Sequence, residues 1–412
     1  MATGDRTAQT YRYECYRSVA SGILETANTT FLLIIAVRWF QAGALAKGCV
    51  AAGLGVGYLA TPLVVALVES ARMPVARAAG YLAAGGGLAI LVAAFLPWES
   101  VFVVTTILAM AATGAIIPLV TQIYQDNYPD SSRGSFFART FMIRIVSAAA
   151  FSFGGGALLS ADIGHFQLML AFFAAALGFS AWCLWRIPSA PLHLSEGGHP
   201  FRALRFVRDD RMFRTTLISW MLMGFANLMM LPLRVEYLAN PRYHLQLAPD
   251  VIALLTGIVP NISRLVLSPV WGWLFDRANF FVVRICLNVG FALGITSFFM
   301  SDSMTGLVLS AIVYGLSVAG GDVAWGLWVT KIAPPERVAD YMSVHTFFTG
   351  VRAMIAPIIG FAVVARWSIA ATGWLSALMI LGATVLLLPE IKHGGLVRKV
   401  VAPAQPPMGA DD

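Results

Sequence analysis

Pro269-Val-Trp-Gly-Trp-Leu-Phe-Asp-Arg277 ends an apolar run with a glycine, then an acid and a base, where the chain should leave a membrane. Gly272, Asp276 and Arg277 give the spacing G-x-x-x-D-R. Much earlier the chain reads Thr61-Pro62-Leu-Val-Val-Ala-Leu-Val-Glu69-Ser70. Placing Pro62 over Pro269 puts Glu69 over Asp276 and Thr61 over Ser268, with Val65 where Gly272 stands and Ser70 where Arg277 stands. A glycine near a helix end lets a neighbouring helix approach closely. An aspartate just past a helix can cap the N-terminus of another, where unpaired N–H groups and the dipole favour negative charge. Gly272, Asp276, Arg277 and Glu69 are therefore candidate gating residues. The alternative is that Asp276 and Arg277 are solvated loop charges.

Working outward, the composition is that of a membrane protein. Hydrophobic residues make up 58% and charged residues 12%, against about 25% charged in soluble domains. A spanning helix needs about 20 apolar residues. Apolar runs bounded by charge, Pro or Gly predict helices over 18–40, 46–69, 75–97, 101–124, 137–160, 164–186, 213–237, 250–275, 280–300, 304–331, 341–365 and 368–389. This predicts an all-α membrane protein with a 1–17 N-terminal segment and an 18–186 six-helix half. A 187–212 linker, a 213–389 six-helix half and a disordered 390–412 tail follow. With the N-terminus inside, most of the 28 Lys and Arg residues fall in cytoplasmic segments, Arg284 among them, which places both termini in the cytoplasm. The net charge of +7 then reflects topology, with no nucleic-acid partner. In the linker an arginine recurs every third residue from Arg202 to Arg214, with Phe201, Leu204, Val207 and Phe213 between. That fits a basic helix on an anionic leaflet or a solvated linker. The four cysteines lack metal or redox spacing, and no disulfide is expected.

The halves repeat each other further. Ala27-Asn28 in the first span matches Ala226-Asn227 in the seventh, and Pro129 to Arg133 matches Pro334 to Arg337. Gly154 to Gly156 lies near the level of Ala356 to Gly360. With the G-x-x-x-D-R stretch and its degenerate copy, this resembles the major facilitator superfamily of secondary transporters over about 18–390. The resemblance implies two pseudo-symmetric six-helix bundles around a central cavity, with alternating access by rocking. It also implies that the first, fourth, seventh and tenth helices line the cavity. The second, fifth, eighth and eleventh meet between the halves, and the third, sixth, ninth and twelfth face lipid.

No catalytic constellation, nucleotide fingerprint or metal-ligand spacing is present, so neither an enzyme nor a cofactor is expected. The informative residues are charges inside spans, because burying them in hydrocarbon is costly unless they are paired or wet. These are Glu25, Arg144, Arg264, Asp322 and Arg352. At about 1.5 Å per residue, Glu25 and Arg144 lie about 10 Å from the cytoplasmic side and the other three about 15 Å. They divide into an N-half pair and a C-half triad with one positive charge over. A spare buried arginine suits a carboxylate or phosphate. Arg264, Arg352, Asn28, Asn227, Asn261 and Trp325 are candidate substrate-binding residues, and Glu25, Asp322 and Arg144 are candidates for proton coupling. The alternatives are salt bridges, asparagines and tryptophans that merely join helices. The expected function is transport of a small polar organic solute, favoured as anionic, by proton-coupled symport through a monomer in the plasma (inner) membrane. Proton/solute antiport and a non-transporting receptor or assembly partner are the alternatives.

Overall fold

The computed structural model describes residues 3–191, 204–333 and 338–392. Among them it is helical throughout, with twelve helices long and apolar enough to cross a bilayer. In order they are α1 (Asp5–Arg38), α2 (Ala44–Ser70), α3 (Val75–Phe95), α4 (Glu99–Asn127), α5 (Phe136–Ala161) and α6 (Ile163–Arg186). The second set is α7 (Arg211–Ala239), α8 (Pro249–Phe275), α9 (Phe280–Phe299), α10 (Met304–Gly326), α11 (Tyr341–Arg366) and α12 (Ile369–Lys392). An even number of crossings puts both described ends on one face, here the terminal face. Apolar side chains such as Leu88, Phe95, Phe153 and Leu293 stand exposed on the outside, as a protein whose solvent is lipid requires.

The first helix begins well before residue 18, at Thr3. Hydropathy marks only the part of a helix that lies in lipid, and this polar extension is held by other means. Thr7 Oγ1 donates to the Asn127 carbonyl at 2.7 Å, and Gln9 Nε2 to that of Arg186 at 2.8 Å. Buried Glu14 accepts from Arg17 three residues on, at 2.7 Å. In the linker, Arg205–Asp209 forms a short helix whose Phe206 stacks on Tyr341 with ring centroids 4.8 Å apart. Leu204 and Val207 also pack against the C-terminal core, so this part of the basic stretch docks on the bundle. The rest of the linker, Pro334 to Arg337 and the tail beyond residue 392 lie outside the described residues.

α1 packs on α5 and α6, α2 on α4, and α3 on α4 and α6; the second half repeats this with α7 on α11 and α12, α8 on α10, and α9 on α10 and α12. The halves meet through α2 with α11 and α5 with α8. At Gly55 of α2 the backbone of Ala353 and Met354 in α11 comes so near that a Cβ would overlap it. Gly156 of α5 sits equally close to Asp250 at the start of α8. Pro62 and Pro269 both lie inside their helices, where a missing N–H loosens the turn and permits a bend.

Candidate functional site: a chain of charges between the halves

Four of the five intramembrane charges form one continuous chain. Arg144 Nε of α5 donates to Glu25 Oε2 of α1 at 2.6 Å. Glu25 Oε1 accepts from Arg264 Nη1 of α8 at 2.5 Å. Arg264 then donates through Nε to Asp322 Oδ2 of α10 at 2.9 Å, with Nη2 also 2.9 Å from that oxygen, and through Nη1 to Asn261 Oδ1 at 2.8 Å. The order Arg144–Glu25–Arg264–Asp322 alternates in sign and sums to zero. Its middle is buried, the Glu25 and Arg264 side chains being 13% and 9% exposed. Its ends are wetter, with Arg144 at 40% and Asp322 at 37%. The Phe141 ring lies beneath both arginines, 5.8 Å from Arg144 and 5.6 Å from Arg264.

This corrects the division into an N-half pair and a C-half triad. Glu25 has two oxygens, and the meeting of α5 with α8 brings one arginine from each half to them. Arg352 is not in the group. Its side chain lies over Gly224 of α7, where a Cβ would overlap the guanidinium. There it donates to the Trp220 carbonyl and, at 3.3 Å, to Thr349 Oγ1. It is 5% exposed and faces its own bundle.

Two helical irregularities flank the chain. Ala27–Phe31 in α1 and Leu254–Ile258 in α8 are π-turns, a form that recurs at functional sites because it breaks the regular hydrogen-bond ladder. They face each other, with Thr30 Oγ1 2.9 Å from Thr256 Oγ1 across the halves. Asn28 lies in the first π-turn, and its buried Oδ1 has no hydrogen-bond partner. It lines a cavity of about 50 Å³ with Thr29, Ala51, Gly55, Pro232 and Pro357. The repeat-related Asn227 instead accepts from the Tyr314 hydroxyl at 2.9 Å. Trp325 packs against His345, ring centroids 5.3 Å apart.

Further ties between the halves lie toward the face opposite the termini. Lys47 Nζ donates to Glu236 Oε1 at 2.6 Å, and both are buried. Asn240 Nδ2 donates to the same oxygen at 2.7 Å. Ser160 Oγ meets Asp250 Oδ1 at 2.8 Å, and Arg38 donates to the Leu247 carbonyl at 2.9 Å. Beside Glu236, burial and then that carboxylate push the Tyr243 phenol up to about 12, against a smaller opposite pull from Arg242, so it stays neutral.

At the terminal end of α8 the expected close approach is missing. A Cβ on Gly272 would meet nothing within 4 Å, so the glycine makes no tight helix contact here. Exposed Arg277 lies 5.0 Å from the Trp273 ring centroid, and Glu69 is half-buried in the last turn of α2. The Asp276 side chain falls outside the described residues. The expectation that the ninth helix carries no intramembrane charge is also corrected. Arg284, expected in a cytoplasmic segment, lies one turn inside α9 and is fully buried.

The Major Facilitator Superfamily model matches residues 237–406. The fold extends that likeness over nearly the whole chain. The nucleoside transporter NupG superposes with a TM-score of 0.70 at 16% identity, covering 96% of this chain and 100% of that one. A POT family transporter in complex with a thioalcohol-conjugated peptide gives 0.70 at 11%, covering 95% and 96%. The human organic anion transporter MFSD10 gives 0.63 at 14%, covering 94% and 100%. The C-terminal part of the chain thus matches this family, and the fold of nearly the whole chain is the one these transporters share. A search of curated proteins finds no match.

Sequence reasoning missed Glu236, Lys47, Arg284 and His345 as buried polar groups. Arg284 was recoverable, since it interrupts Phe280-Phe-Val-Val-Arg-Ile-Cys-Leu287 after only four apolar residues. Lys47 and Glu236 sit near helix ends, where a side chain can as well reach water; only the packing of α2 against the other half buries them.

Proposed function

We propose that the chain is a secondary active transporter that moves a small polar organic solute by alternating access, coupled to protons in the symport sense, with its terminal face toward the cytoplasm. The observation that carries this reading is the division of the Glu25 carboxylate between Arg144 of its own half and Arg264 of the other. Rocking of the halves stretches the Glu25–Arg264 contact. A carboxylate between two arginines favours the ionised state, and one that loses a partner in a desolvated place favours the protonated state. Proton affinity then differs between conformations, and such a difference is what coupling requires. An anionic solute is favoured because the charge chain sums to zero, while Arg284 and Arg352 are buried with no carboxylate at ion-pair distance among the described residues. The excess of Lys and Arg in the segments on the terminal side supports the orientation.

The test is flux in proteoliposomes with an imposed pH gradient. The structural neighbours suggest the panel: nucleosides, organic anions and peptides. Uphill uptake of one class, driven by protons moving the same way, is expected. Solute movement against the proton flow would establish antiport instead. No flux of any class, with the protein folded, would leave the receptor alternative standing.

A further inference from the structure

A second cluster of buried polar groups lies inside the C-terminal bundle, toward the terminal face, and the charge chain does not use it. Arg284 of α9 stacks on the Trp220 ring of α7, its Cζ 3.5 Å from the ring centroid. The Trp220 carbonyl accepts from Arg352 of α11. His345 of α11 sits among Trp220, Trp325 and Trp328, with ring centroids 5.6, 5.3 and 5.2 Å away. Arg284, His345 and Trp328 are fully buried, and Trp220 and Arg352 nearly so.

The hydrogen-bond inventory of this cluster is one-sided. Arg284 Nε, Nη1 and Nη2, Arg352 Nε, Trp220 Nε1 and Trp328 Nε1 are all buried donors without an acceptor. Both ring nitrogens of His345 are also unpartnered, and an imidazole offers at least one N–H in either tautomer. No carboxylate among the described residues comes within ion-pair distance of Arg284 or Arg352. Stacking on Trp220 serves the face of the Arg284 guanidinium. It does nothing for the N–H groups, which lie in the guanidinium plane. Buried Arg284 with no acceptor on any of its three nitrogens, beside buried Arg352 whose Nε has none, calls for a compact negative partner.

We propose that Arg284, Arg352, His345, Trp220 and Trp328 form a binding site for a small anion, held by two guanidinium groups and the indole and imidazole N–H donors. The inference rests on this donor set and holds whether or not the chain transports a solute. Two sources share the chemistry: a free inorganic anion and the carboxylate or phosphate group of an organic solute. Trp325, half-buried and against His345, lies three residues beyond Asp322 on the same helix.

The full-length protein purified in MES, a bulky sulfonate without a carboxylate, is titrated with chloride or nitrate at constant ionic strength, following Tm and intrinsic tryptophan fluorescence. A saturable rise of about 2–5 °C is expected, with a matching saturable fluorescence change. Arg284→Gln should abolish both, and Arg352→Gln should weaken the apparent affinity at least tenfold. In MES alone Arg284→Gln should be as stable as the parent, because it removes an unpaired buried charge; a purely structural cation–π contact would make it less stable in every salt. Acetate and methyl phosphate form a second arm. Saturation by these and by chloride identifies a free-anion site, and saturation by these alone identifies the group of a solute. Should the variants fail to fold, the parent titrations still decide. No saturable response to any anion in the parent, or an undiminished one in an Arg284→Gln/Arg352→Gln double variant, overturns the site.

Discussion

Lys47 Nζ of α2 lies 2.6 Å from Glu236 Oε1 of α7, and the pair is buried between the two halves near the face opposite the termini. With the Gly55 contact, the Thr30–Thr256 bond and the Ser160–Asp250 bond, it ties the halves on that side. An opening of that face must break all four. The pair is the one whose loss strands a charge.

Lys47→Met should therefore favour a conformation open on the opposite face. Removing one partner of a buried pair destabilises the closed arrangement by about 3–5 kcal/mol, and wetting Glu236 relieves that. Cys15, Cys49, Cys183 and Cys286 are first replaced by Ser. Labelling of Ala51→Cys by an impermeant maleimide from the opposite face should then rise at least tenfold. A Lys47→Met/Glu236→Met double variant should return toward the parent. Unchanged labelling in the single variant would show that the pair does not hold the face shut.

Gly55→Val should open the same face without changing charge. Its side chain has no room against Ala353 and Met354, while in a mid-helix position replacing Gly loses nothing in helix propensity and gains up to about 1 kcal/mol. Spin labels at the opposite-face ends of α2 and α11 should move apart, with the shift insensitive to salt. An unaltered distance distribution in a folded variant would contradict the contact.

Glu25→Gln should separate coupling from movement. The amide keeps the shape and cannot exchange a proton at physiological pH. Uptake driven by a pH gradient should fail, while solute exchange between equal concentrations survives at no less than about a tenth of the parent rate, a difference of about 1.4 kcal/mol. Loss of both activities together with loss of folded protein would mark Glu25 as purely structural, and full retention of gradient-driven uptake would remove it from the mechanism.

Arg264→Lys should not substitute for arginine. Lysine carries all three of its donors on one nitrogen, so it cannot span Glu25, Asn261 and Asp322 as the separate nitrogens of the guanidinium do. Transport should fall more than tenfold with protein still folded. A stability cycle of Glu25→Gln with Arg264→Gln should show a coupling energy of about 1–3 kcal/mol. Additive effects would mean the two side chains do not interact in the membrane.

The sequence by itself determined the class, the twelve crossings and the repeat of the halves, because each is written in short-range patterns. An apolar run of bilayer length has no other stable home, and Pro62 and Pro269 both lie inside matching helices, the second of each half. It also singled out Glu25, Arg144, Arg264 and Asp322, since a charge deep inside a long apolar run is conspicuous, whereas Arg284, one turn from a helix end, was not. It did not determine partners. Depth along a helix does not tell which way a side chain points, so Arg352 was grouped with the triad when Gly224 gives it room on the other side. Only tertiary structure decided that Glu25 reaches across to Arg264, that Arg284 lies inside the bundle, and that Lys47 and Glu236 are buried together. In each case the pairing joins helices far apart in the chain, and the rotation of one packed helix against another sets it.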